Sequence, residues 1–385
     1  MAGRRGHDEG SITKRADGSW EAKISLGYRS GKDGKVRRVR KSFYGKTRRD
    51  VADKLNLALR DHQQGLPVAV DRQTVATFLD RWLEEVVRPT VRPRTHHSYA
   101  QLVRVHIAPA IGRHQLTKLA PQHVQTMMND RLAAGLSPRT VQYLRAVLRR
   151  ALGQALKWGL VARNVATLVD PPRSVRHEIA FLTPAQARTF LDVVRGDRQE
   201  ALYRVALSLG LRQGEALGLR WQDVDLDDRT LRVRVALQRI GGKLVLTEPK
   251  TRQSRRSIPM PGSVVAALRE HRDRQTFERA TAGDRWQDWG LVFPTPTGTP
   301  VDARNAVRHF KAALVRAGLP PMRWHDLRHS CASLQLAQGI APRVVMETLG
   351  HSQIGITMNT YSHVIPEMQR QAADLMDDLL SGTGG

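Results

Sequence analysis

Apolar and polar residues alternate loosely in two stretches near the start of the chain, 20–28 and 36–43. The alternation predicts two β-strands, because successive side chains of a strand point to opposite faces. The residues between them have the composition of a turn, and a hairpin signal at Asp17–Gly18 predicts a further short strand. Apolar residues four apart in 51–59 then predict a helix. We therefore expect a small three-stranded sheet backed by one helix in residues 1–65.

Residues 73–170 carry the apolar spacing of helices. In Thr74–Val87 apolar positions recur three and four residues apart, and Pro89 and Pro93 are expected to stop this helix. A second helix is expected to end before Pro109. Ser137–Trp158 reads as a long helix that opens with a capping serine and a proline and has one apolar face. These patterns predict an all-helical domain, joined to the first by a short polar linker.

Residues 178–385 mix the two patterns. Leu231–Val235 and Lys243–Thr247 alternate on either side of Gly241–Gly242, which predicts an antiparallel pair of strands. Ser257–Met260 is a candidate third strand, and the rest has mainly helical spacing. The expected fold class is multidomain: a domain of one small three-stranded sheet plus a helix in residues 1–65, an all-α domain in 73–170, and a mixed, mainly-α domain with a small antiparallel sheet in 178–385.

The chain is strongly basic. Its 385 residues include 62 Lys and Arg against 36 Asp and Glu, a formal net charge of +26. Residues 1–70 hold 17 basic and 8 acidic side chains, a net +9, and residues 73–177 hold 16 and 5, a net +11. An excess of this size predicts a polyanionic partner, most simply nucleic acid. The alternative is a solvated basic face that only resists aggregation.

Two basic surfaces are candidates for contact with a phosphate backbone. One follows the middle strands of the predicted N-terminal sheet, and the other lies on the helix that starts at Pro138, opposite its apolar face. The candidate DNA-binding residues are Lys23, Arg37, Arg38, Arg40 and Lys41 on the strands, and Arg139, Arg145 and Arg149 on the helix.

Several classes of protein are not indicated. The single cysteine, Cys331, excludes a disulfide framework and a Cys-based zinc finger, and it is typical of a reducing compartment. The sequence has no P-loop and no HExxH motif, so neither an ATP-driven motor nor a metal site is expected. No apolar run approaches the roughly 18 residues of a membrane span, and the N-terminus lacks the apolar region of a secretory signal. We therefore expect a cytoplasmic protein without metal or cofactor.

The third segment carries cationic residues that can neutralise a phosphate and a tyrosine that can attack it. Arg212 stands at a predicted helix start in the run GLRQGEALGLRW. His325 and Arg328 are three apart, so one helix face presents both. Tyr361 follows the His of an LGH run by ten residues. The candidate site residues are Arg212, Lys250, His325, Arg328, His351 and Tyr361.

The order of these motifs resembles that of the tyrosine recombinases, the phage-integrase family. The runs GLRxGEALxLxWxDVD, PKT, HxLRHS and LGH and a final tyrosine all occur in the family's order. Residues 178–385 resemble the family's catalytic domain, and residues 73–170 its helical core-binding domain. Residues 1–65 resemble, more loosely, the arm-binding domain of phage and mobile-element integrases. The similarity covers nearly the whole chain.

The resemblance implies a site-specific DNA integrase that cleaves and rejoins DNA through a 3′-phosphotyrosine, without metal or ATP, to integrate and excise a phage or mobile element. Tyr361 would be the nucleophile, and His325 is the candidate base, although which group takes the Tyr361 proton stays open. Arg212 and Arg328 would hold the non-bridging phosphate oxygens, because a guanidinium suits bidentate phosphate contact and stays charged.

The resemblance gives supporting roles to further residues. Lys250 would protonate the departing 5′-oxygen, and His351 would donate a hydrogen bond to the phosphate in the transition state. Glu215 is expected to support Arg212 rather than to touch DNA. His329 is expected to support the fold and Cys331 to be a small core residue. The assignment of Lys250 competes with nearby basic residues: Arg252, Arg255 and Arg256.

The resemblance also implies partners. They are double-stranded DNA attachment sites of core and arm type and, on that DNA, a homotetramer, in a bacterial host cell at the nucleoid. An excisionase and a DNA-bending host protein are further partners by resemblance only. The apolar stripe in residues 366–380 would dock on a neighbouring protomer, as in the family, or fold back on its own domain.

Two other functions compete with an integrase. A DNA-binding regulator could keep the fold and lose catalysis, but the complete set of six candidate site residues argues against it. A type IB-like topoisomerase uses the same residue types, but it would not be expected to carry the arm-like N-terminal domain. Relaxation of supercoils without site preference would favour the topoisomerase.

Overall fold

The computed structural model describes residues 10–30, 36–63, 73–174, 180–249 and 255–350, together with residues 373, 374, 376, 377 and 380. The chain forms two compact units, Met1–Val175 and Arg176–Gly385. In these ranges, no helix is both long enough and apolar enough to span a membrane.

The first unit begins with a three-stranded antiparallel sheet in the order β1 (Ser11–Lys14), β2 (Trp20–Ser30) and β3 (Val36–Gly45), followed by helix α1 (Arg48–Gln63). One face of the sheet packs against α1 around a small hydrophobic core. Ala22 and Ile24 of β2 and Val51 and Leu55 of α1 are almost fully buried at its centre. The predicted sheet backed by one helix is confirmed.

The rest of the first unit is helical, as predicted. Ser137 caps the longest of its helices, because its hydroxyl accepts the N–H of Thr140 at 3.2 Å. The apolar face of that helix is buried from Val141 to Ala155 and lies at the centre of the helical core. The α-helices are α2 (Val75–Trp82), α3 (Arg88–Thr90), α4 (Pro93–Leu102), α5 (Ala108–Ile111), α6 (Pro121–Ala133) and α7 (Pro138–Lys157).

Two predicted helices run past their expected last residues, the first to Thr90, still before Pro93, and the second to Ile111. Leu83–Val87 and Val103–Ile107 each form one π-helical turn, and the helical chain continues through Pro89 and Pro109. The residue after each π turn donates its N–H to the carbonyl five residues back. In a regular α-helix a proline ring collides with the carbonyl four residues before it. The wider π turn accommodates the ring, so the helical chain continues to Thr90 and to Ile111.

The second unit is mainly helical with small antiparallel sheets, which confirms the predicted fold class. Its central helix, α9, is buried along nearly its whole length and packs against α11 and α13. The helices are α8 (Pro184–Val193), α9 (Glu200–Leu209), α10 (Gln213–Leu217), α11 (Gly262–Ala282), α12 (Ala303–Arg316), α13 (Trp324–Ala337) and α14 (Pro342–Leu349). The strands are β4 (Val224–Asp225), β5 (Thr230–Val233), β6 (Ala236–Ile240), β7 (Lys243–Thr247) and β8 (Arg256–Pro259).

The predicted strand pairing in the second unit needs correction. β7 pairs with β6, not with the Leu231–Val235 stretch. Gly241 and Gly242 both have positive φ and form a two-residue turn, so the register places Ile240 opposite Lys243. The apolar alternation in Leu231–Val235 belongs to β5, which lies between β4 and β8 in a separate sheet. β8 is the predicted third strand, and it joins β5 instead of the hairpin.

Candidate active site and DNA-facing surfaces

Arg212 is held at the start of α10 by a carboxylate one helical turn ahead. Helix α9 ends at Gly210, whose left-handed backbone (φ +61°) turns the chain toward Arg212. The backbone N–H of Arg212 donates to Oε2 of Glu215 at 3.0 Å, and its Nη1 donates to Oε1 at 2.7 Å. Glu215 thus fixes both the backbone and the guanidinium of Arg212. The expected support of Arg212 by Glu215 is present in the structure.

Arg328 lies on α13 and is buried, with 2% of its surface exposed. Its Nη1 donates to the carbonyl of Gly210 at 2.7 Å and its Nη2 to the carbonyl of Leu349 at 2.6 Å. The Nη2 of Arg212 reaches the next carbonyl, that of Gly350, at 3.3 Å. The two arginines are 116 positions apart in sequence, yet both bind the carboxyl end of α14, immediately before His351.

Gly210 is needed where these segments meet. A Cβ on this residue would lie 2.4 Å from Cδ2 of Leu349 and 3.2 Å from Sγ of Cys331, closer than packed atoms approach. The missing side chain lets α9, α13 and α14 come together around the Arg328 guanidinium. Cys331 is buried there as a core residue, as expected, and burial raises the pKa of its thiol to about 12.

His325 occupies the first turn of α13, one turn before Arg328. Crowding of the ring by protein atoms lowers the pKa of His325, and the positive charges of Arg328 and Arg212 lower it further, although part of the residue stays exposed to solvent. The imidazole is therefore neutral at neutral pH and can accept a proton. Its ring meets that of His329 edge to face, with centroids 5.0 Å apart. Burial and the neighbouring His325 lower the pKa of His329 to about 4.

Helices α10 and α13 begin with the same pair of an arginine and an acidic residue. In α13 the backbone N–H of Arg323 donates to Oδ2 of Asp326 at 2.7 Å, and its Nη2 donates to Oδ1 at 2.8 Å. Arg212 and Glu215 form the equivalent pair in α10. In both helices an acidic residue at the third helical position caps the backbone and binds the arginine before the helix. Asp326 is almost fully buried, so this bidentate pair fixes the start of the helix that carries His325 and Arg328.

Arg256, the first residue of β8, belongs to this site, although sequence reasoning named it only as a competitor of Lys250. Its Nε donates to the carbonyl of Thr348 at 2.6 Å, and its Nη2 to Oε2 of Glu215 at 3.1 Å. Burial alone would raise the pKa of Glu215, but the charges of Arg256 and Arg212 outweigh it and hold that pKa below its ordinary value. The sequence did contain a signal for its burial. Arg256 stands two residues before the buried Ile258, and residues two apart in a strand lie on the same face.

Three of the six predicted site residues, Lys250, His351 and Tyr361, lie outside the described residues. Their roles stay predictions. In the described parts of the second unit, β7 and β8 flank the segment that contains Lys250, and α14 ends next to His351. Across the described ranges, no group of three or more His, Cys, Asp or Glu side chains is placed to hold a metal ion.

The basic face of α7 is present as predicted. Arg139 and Arg149 are exposed, and Arg145 is partly buried. Arg145 and Arg149 line an open groove together with Arg150 and with Arg163 from the loop that follows α7. Arg163 has no helical spacing to Arg145 and Arg149, so periodicity along α7 could not have assigned it to the same surface.

The predicted basic residues of the N-terminal sheet do not share one face. Lys23 pairs with Ser42 and Arg40 with Ser25, on the face opposite α1. Lys41 pairs with the buried Ile24 on the α1 side, and its Nζ lies 5.1 Å from the ring centre of Phe43. Lys41 is therefore not part of the open face. Two further predicted residues, Arg37 and Arg38, lie on β3, but their side chains are outside the described part of the structure.

Comparison with known proteins agrees with the motifs. Residues 180–368 match the model of the phage integrase family, and residues 74–132 match the model of the phage integrase N-terminal SAM-like domain. A tyrosine recombinase XerC-like protein from Caldanaerobacter subterraneus subsp. tengcongensis is 32% identical over 368 residues, which cover 91% of this chain and 94% of that protein. The chain belongs to the tyrosine recombinase family. It is an enzyme that breaks and rejoins DNA, a recombinase of the integrase type found in phages and mobile elements.

Solved structures of integrases share the fold of this recombinase. The Tn1549 transposon integrase in complex with a circular intermediate DNA has a TM-score of 0.66 at 22% identity, over 79% of this chain and 99% of that one. A lambda integrase tetramer bound to a Holliday junction has a TM-score of 0.57 at 16% identity, over 93% of this chain and 96% of that one. At these identities the comparison establishes the tyrosine recombinase fold.

Proposed function

We propose that this recombinase is a site-specific integrase that cleaves DNA with Tyr361, leaving a 3′-phosphotyrosine and a free 5′-hydroxyl. The observation that carries the proposal is the meeting of Arg212 and Arg328 at two adjacent carbonyls, Leu349 and Gly350, beside the neutral His325. This arrangement brings two guanidiniums and one proton acceptor to the chain segment that leads into His351 and Tyr361.

The two guanidiniums suit a phosphate whose charge increases during attack. A pentacovalent transition state carries more negative charge on its non-bridging oxygens than the phosphodiester, and fixed cations stabilise that increase. Arginine stays protonated throughout and offers paired N–H donors. The side chain of Arg212 is 39% exposed, which leaves it accessible to DNA while Glu215 holds it in place. Arg328 is 2% exposed and its Nη1 and Nη2 donate to the carbonyls of Gly210 and Leu349, so it would add its positive charge to the phosphate site from the protein interior.

The proposed reaction balances without a cofactor. The Tyr361 oxygen forms a bond to phosphorus while the bond from phosphorus to the 5′-oxygen breaks. A tyrosine hydroxyl with a pKa of roughly 10 must lose its proton, and the neutral imidazole of His325 would receive it. Lys250 supplies a proton to the leaving 5′-oxygen, and His351 donates a hydrogen bond to the phosphate. Since the phosphotyrosine keeps the ester bond, a second 5′-hydroxyl can reverse the reaction without ATP.

Two surfaces are proposed to bind the DNA duplex. The α7 face with Arg139, Arg145 and Arg149 would contact phosphates of a core site, and the open face of the N-terminal sheet with Lys23 and Arg40 would contact an arm site. The net charge of +11 in residues 73–177, which include α7, and of +9 in residues 1–70, which include the sheet, supports DNA contact by both surfaces. Two binding modules on one chain raise the effective concentration of one site near the other, which suits an enzyme that joins distant sites.

The assembled enzyme is proposed to be a homotetramer on DNA, since recombination of two duplexes cuts four strands. The likeness to a lambda integrase tetramer on a Holliday junction supports this assembly. An excisionase and a DNA-bending host protein would set the direction of the reaction. Because the substrate is chromosomal and element DNA, the reaction would take place in the bacterial cytoplasm at the nucleoid.

A trapped covalent complex tests the proposal. The purified protein is incubated with a nicked duplex that carries the attachment sequence neighbouring its gene, so that the short 5′-hydroxyl fragment diffuses away and the adduct accumulates. The wild type should form an adduct in the presence of EDTA, and Tyr361→Phe should bind the duplex without forming one. Tyr203→Phe, which removes one hydroxyl from a buried ring that is bonded to Gln199 in the core of the second unit, serves as the matched control and should form the adduct.

The adducted peptide is then mapped by mass spectrometry. An adduct that survives Tyr361→Phe, or one that maps to another residue, would show that the nucleophile is misassigned. Inhibition by EDTA that only added metal reverses would overturn the metal-free mechanism. Relaxation of supercoiled plasmids without any attachment sequence would identify a topoisomerase instead.

A further inference from the structure

Arg256 connects three segments that carry proposed site residues. It follows the segment that contains Lys250, it binds Glu215 beside Arg212, and it binds the carbonyl of Thr348 at the end of the helix that precedes His351. Its side chain is only 7% exposed, and Glu215 is 4% exposed. A buried arginine that touches this many parts of the site must act through the protein.

Glu215 depends on both of its arginines. The carboxylate receives the Arg212 backbone N–H and the Arg256 Nη2 on Oε2, and the Arg212 Nη1 on Oε1. Removal of one partner from a buried ion pair leaves the remaining charge poorly compensated. Without Arg256, Glu215 would either take up a proton or turn further toward Arg212. Either change would move the hydrogen-bond acceptor that fixes the Arg212 guanidinium.

The hydrogen bond from Arg256 to the carbonyl of Thr348 holds the end of α14. α14 ends at Leu349, and Gly350, which follows it, has a left-handed backbone. The carbonyls of Thr348, Leu349 and Gly350 accept hydrogen bonds from Arg256, Arg328 and Arg212, respectively. Three guanidiniums at the carboxyl end of one helix are also favoured by the helix dipole. Of these three arginines, Arg256 also forms an ion pair with Glu215, the carboxylate that holds the Arg212 guanidinium.

We propose that Arg256 is a positioning residue of this recombinase, which holds Glu215 and the end of α14 so that the Arg212 guanidinium stays aligned on the scissile phosphate. The proposal rests on the proposed function, because it presupposes that Arg212 binds that phosphate. Arg256 itself does not touch DNA: its burial and its bonds to Thr348 and Glu215 leave the contact to the more exposed Arg212.

The test compares rates of adduct formation at saturating DNA. Arg256→Met keeps much of the side-chain volume without the charge, and Arg256→Lys keeps the charge without the fork of donors. Displacement of a reacting group by about 1 Å costs about 100-fold in rate, so Arg256→Met should slow adduct formation roughly 100-fold, and Arg256→Lys should recover part of that loss. The DNA dissociation constant should change less than about threefold, because the DNA-facing surfaces are untouched.

The matched control is Arg269→Gln, which removes a guanidinium from an exposed pair with Asp227 in the same unit. Its rate should equal that of the wild type. Circular dichroism and thermal melting of each variant show whether it is folded. Equal rates for Arg256→Met and the wild type would overturn the proposal.

A second substrate separates positioning from a merely structural role. A methylphosphonate at the scissile position is neutral, so it needs less positive charge from the protein, and the rate loss caused by Arg212→Gln should shrink on it. If Arg256 acts through Arg212, the loss caused by Arg256→Met shrinks in the same proportion. A loss for Arg256→Met that is equal on both substrates would refute the positioning role. A loss for Arg212→Gln that is equal on both would instead refute the phosphate clamp, and with it the proposed function.

Discussion

Substitution of Gly210 by alanine probes the junction on which the site is built. The added Cβ would lie 2.4 Å from the Leu349 side chain, and the residue would keep a φ of +61°. The left-handed backbone costs an alanine ~1–2 kcal/mol, and overpacking of a filled core costs a further ~1–3 kcal/mol. We therefore expect Gly210→Ala to lower the free energy of unfolding of the second unit by ~2–5 kcal/mol.

Gly318 provides a matched control, because its φ is +64° but a Cβ there would have no heavy atom within 4 Å. Gly318→Ala should cost only the ~1–2 kcal/mol of backbone strain. The packing difference of ~1–3 kcal/mol corresponds to a melting temperature lower by roughly 2–12 °C for a unit of this size. Hydrogen exchange of peptides from residues 200–350, measured as the temperature rises, reports the melting of the second unit separately from that of the first.

Adduct formation should fall with Gly210→Ala and not with Gly318→Ala. The added methyl group pushes Leu349 away from Gly210, and the carbonyls of these two residues are the acceptors that hold the Arg328 guanidinium. The two alanine variants would melt at the same temperature only if α14 moved without an energetic cost. Equal melting temperatures together with equal adduct rates would therefore refute the view that Gly210 fixes the junction.

Two further results are expected from the charges of the first and second units. Arg145→Gln combined with Arg149→Gln should reduce the slope of log K against log salt by about 1.8, about 0.9 for each lost phosphate contact. Arg195→Gln, in an exposed pair on the other unit, should leave the slope unchanged. His329, with a folded pKa of about 4, binds its proton more readily when unfolded, so its contribution to stability is complete above pH ~6.5 and is lost as the pH falls toward 4. His329→Asn should flatten the pH dependence of urea midpoints in that window, and an unchanged steepness would contradict the assignment.

Periodicity predicted the parts of the fold in which local sequence and burial agree. The apolar stripe of α7 and its capping Ser137 are found where the spacing placed them, because a helix of this length must bury one face. The short extension of the helices past Pro89 and Pro109 was not predicted, since a proline in sequence shows the lost N–H but not the π turn that accommodates it. The pairing of β7 was misread because alternation marks a strand without naming its neighbour.

By itself the sequence determined the family, because motif order is a property of the chain, and it predicted the reactive side chains from their residue chemistry. Only the tertiary structure decided which groups share a site. Arg256 and Lys41 are equally basic in sequence, yet one is buried behind Glu215 and the other lies on the helix side of a sheet. Burial and pairing depend on segments far apart along the chain, and these long-range contacts give Glu215 its two arginines and Arg328 its two carbonyls.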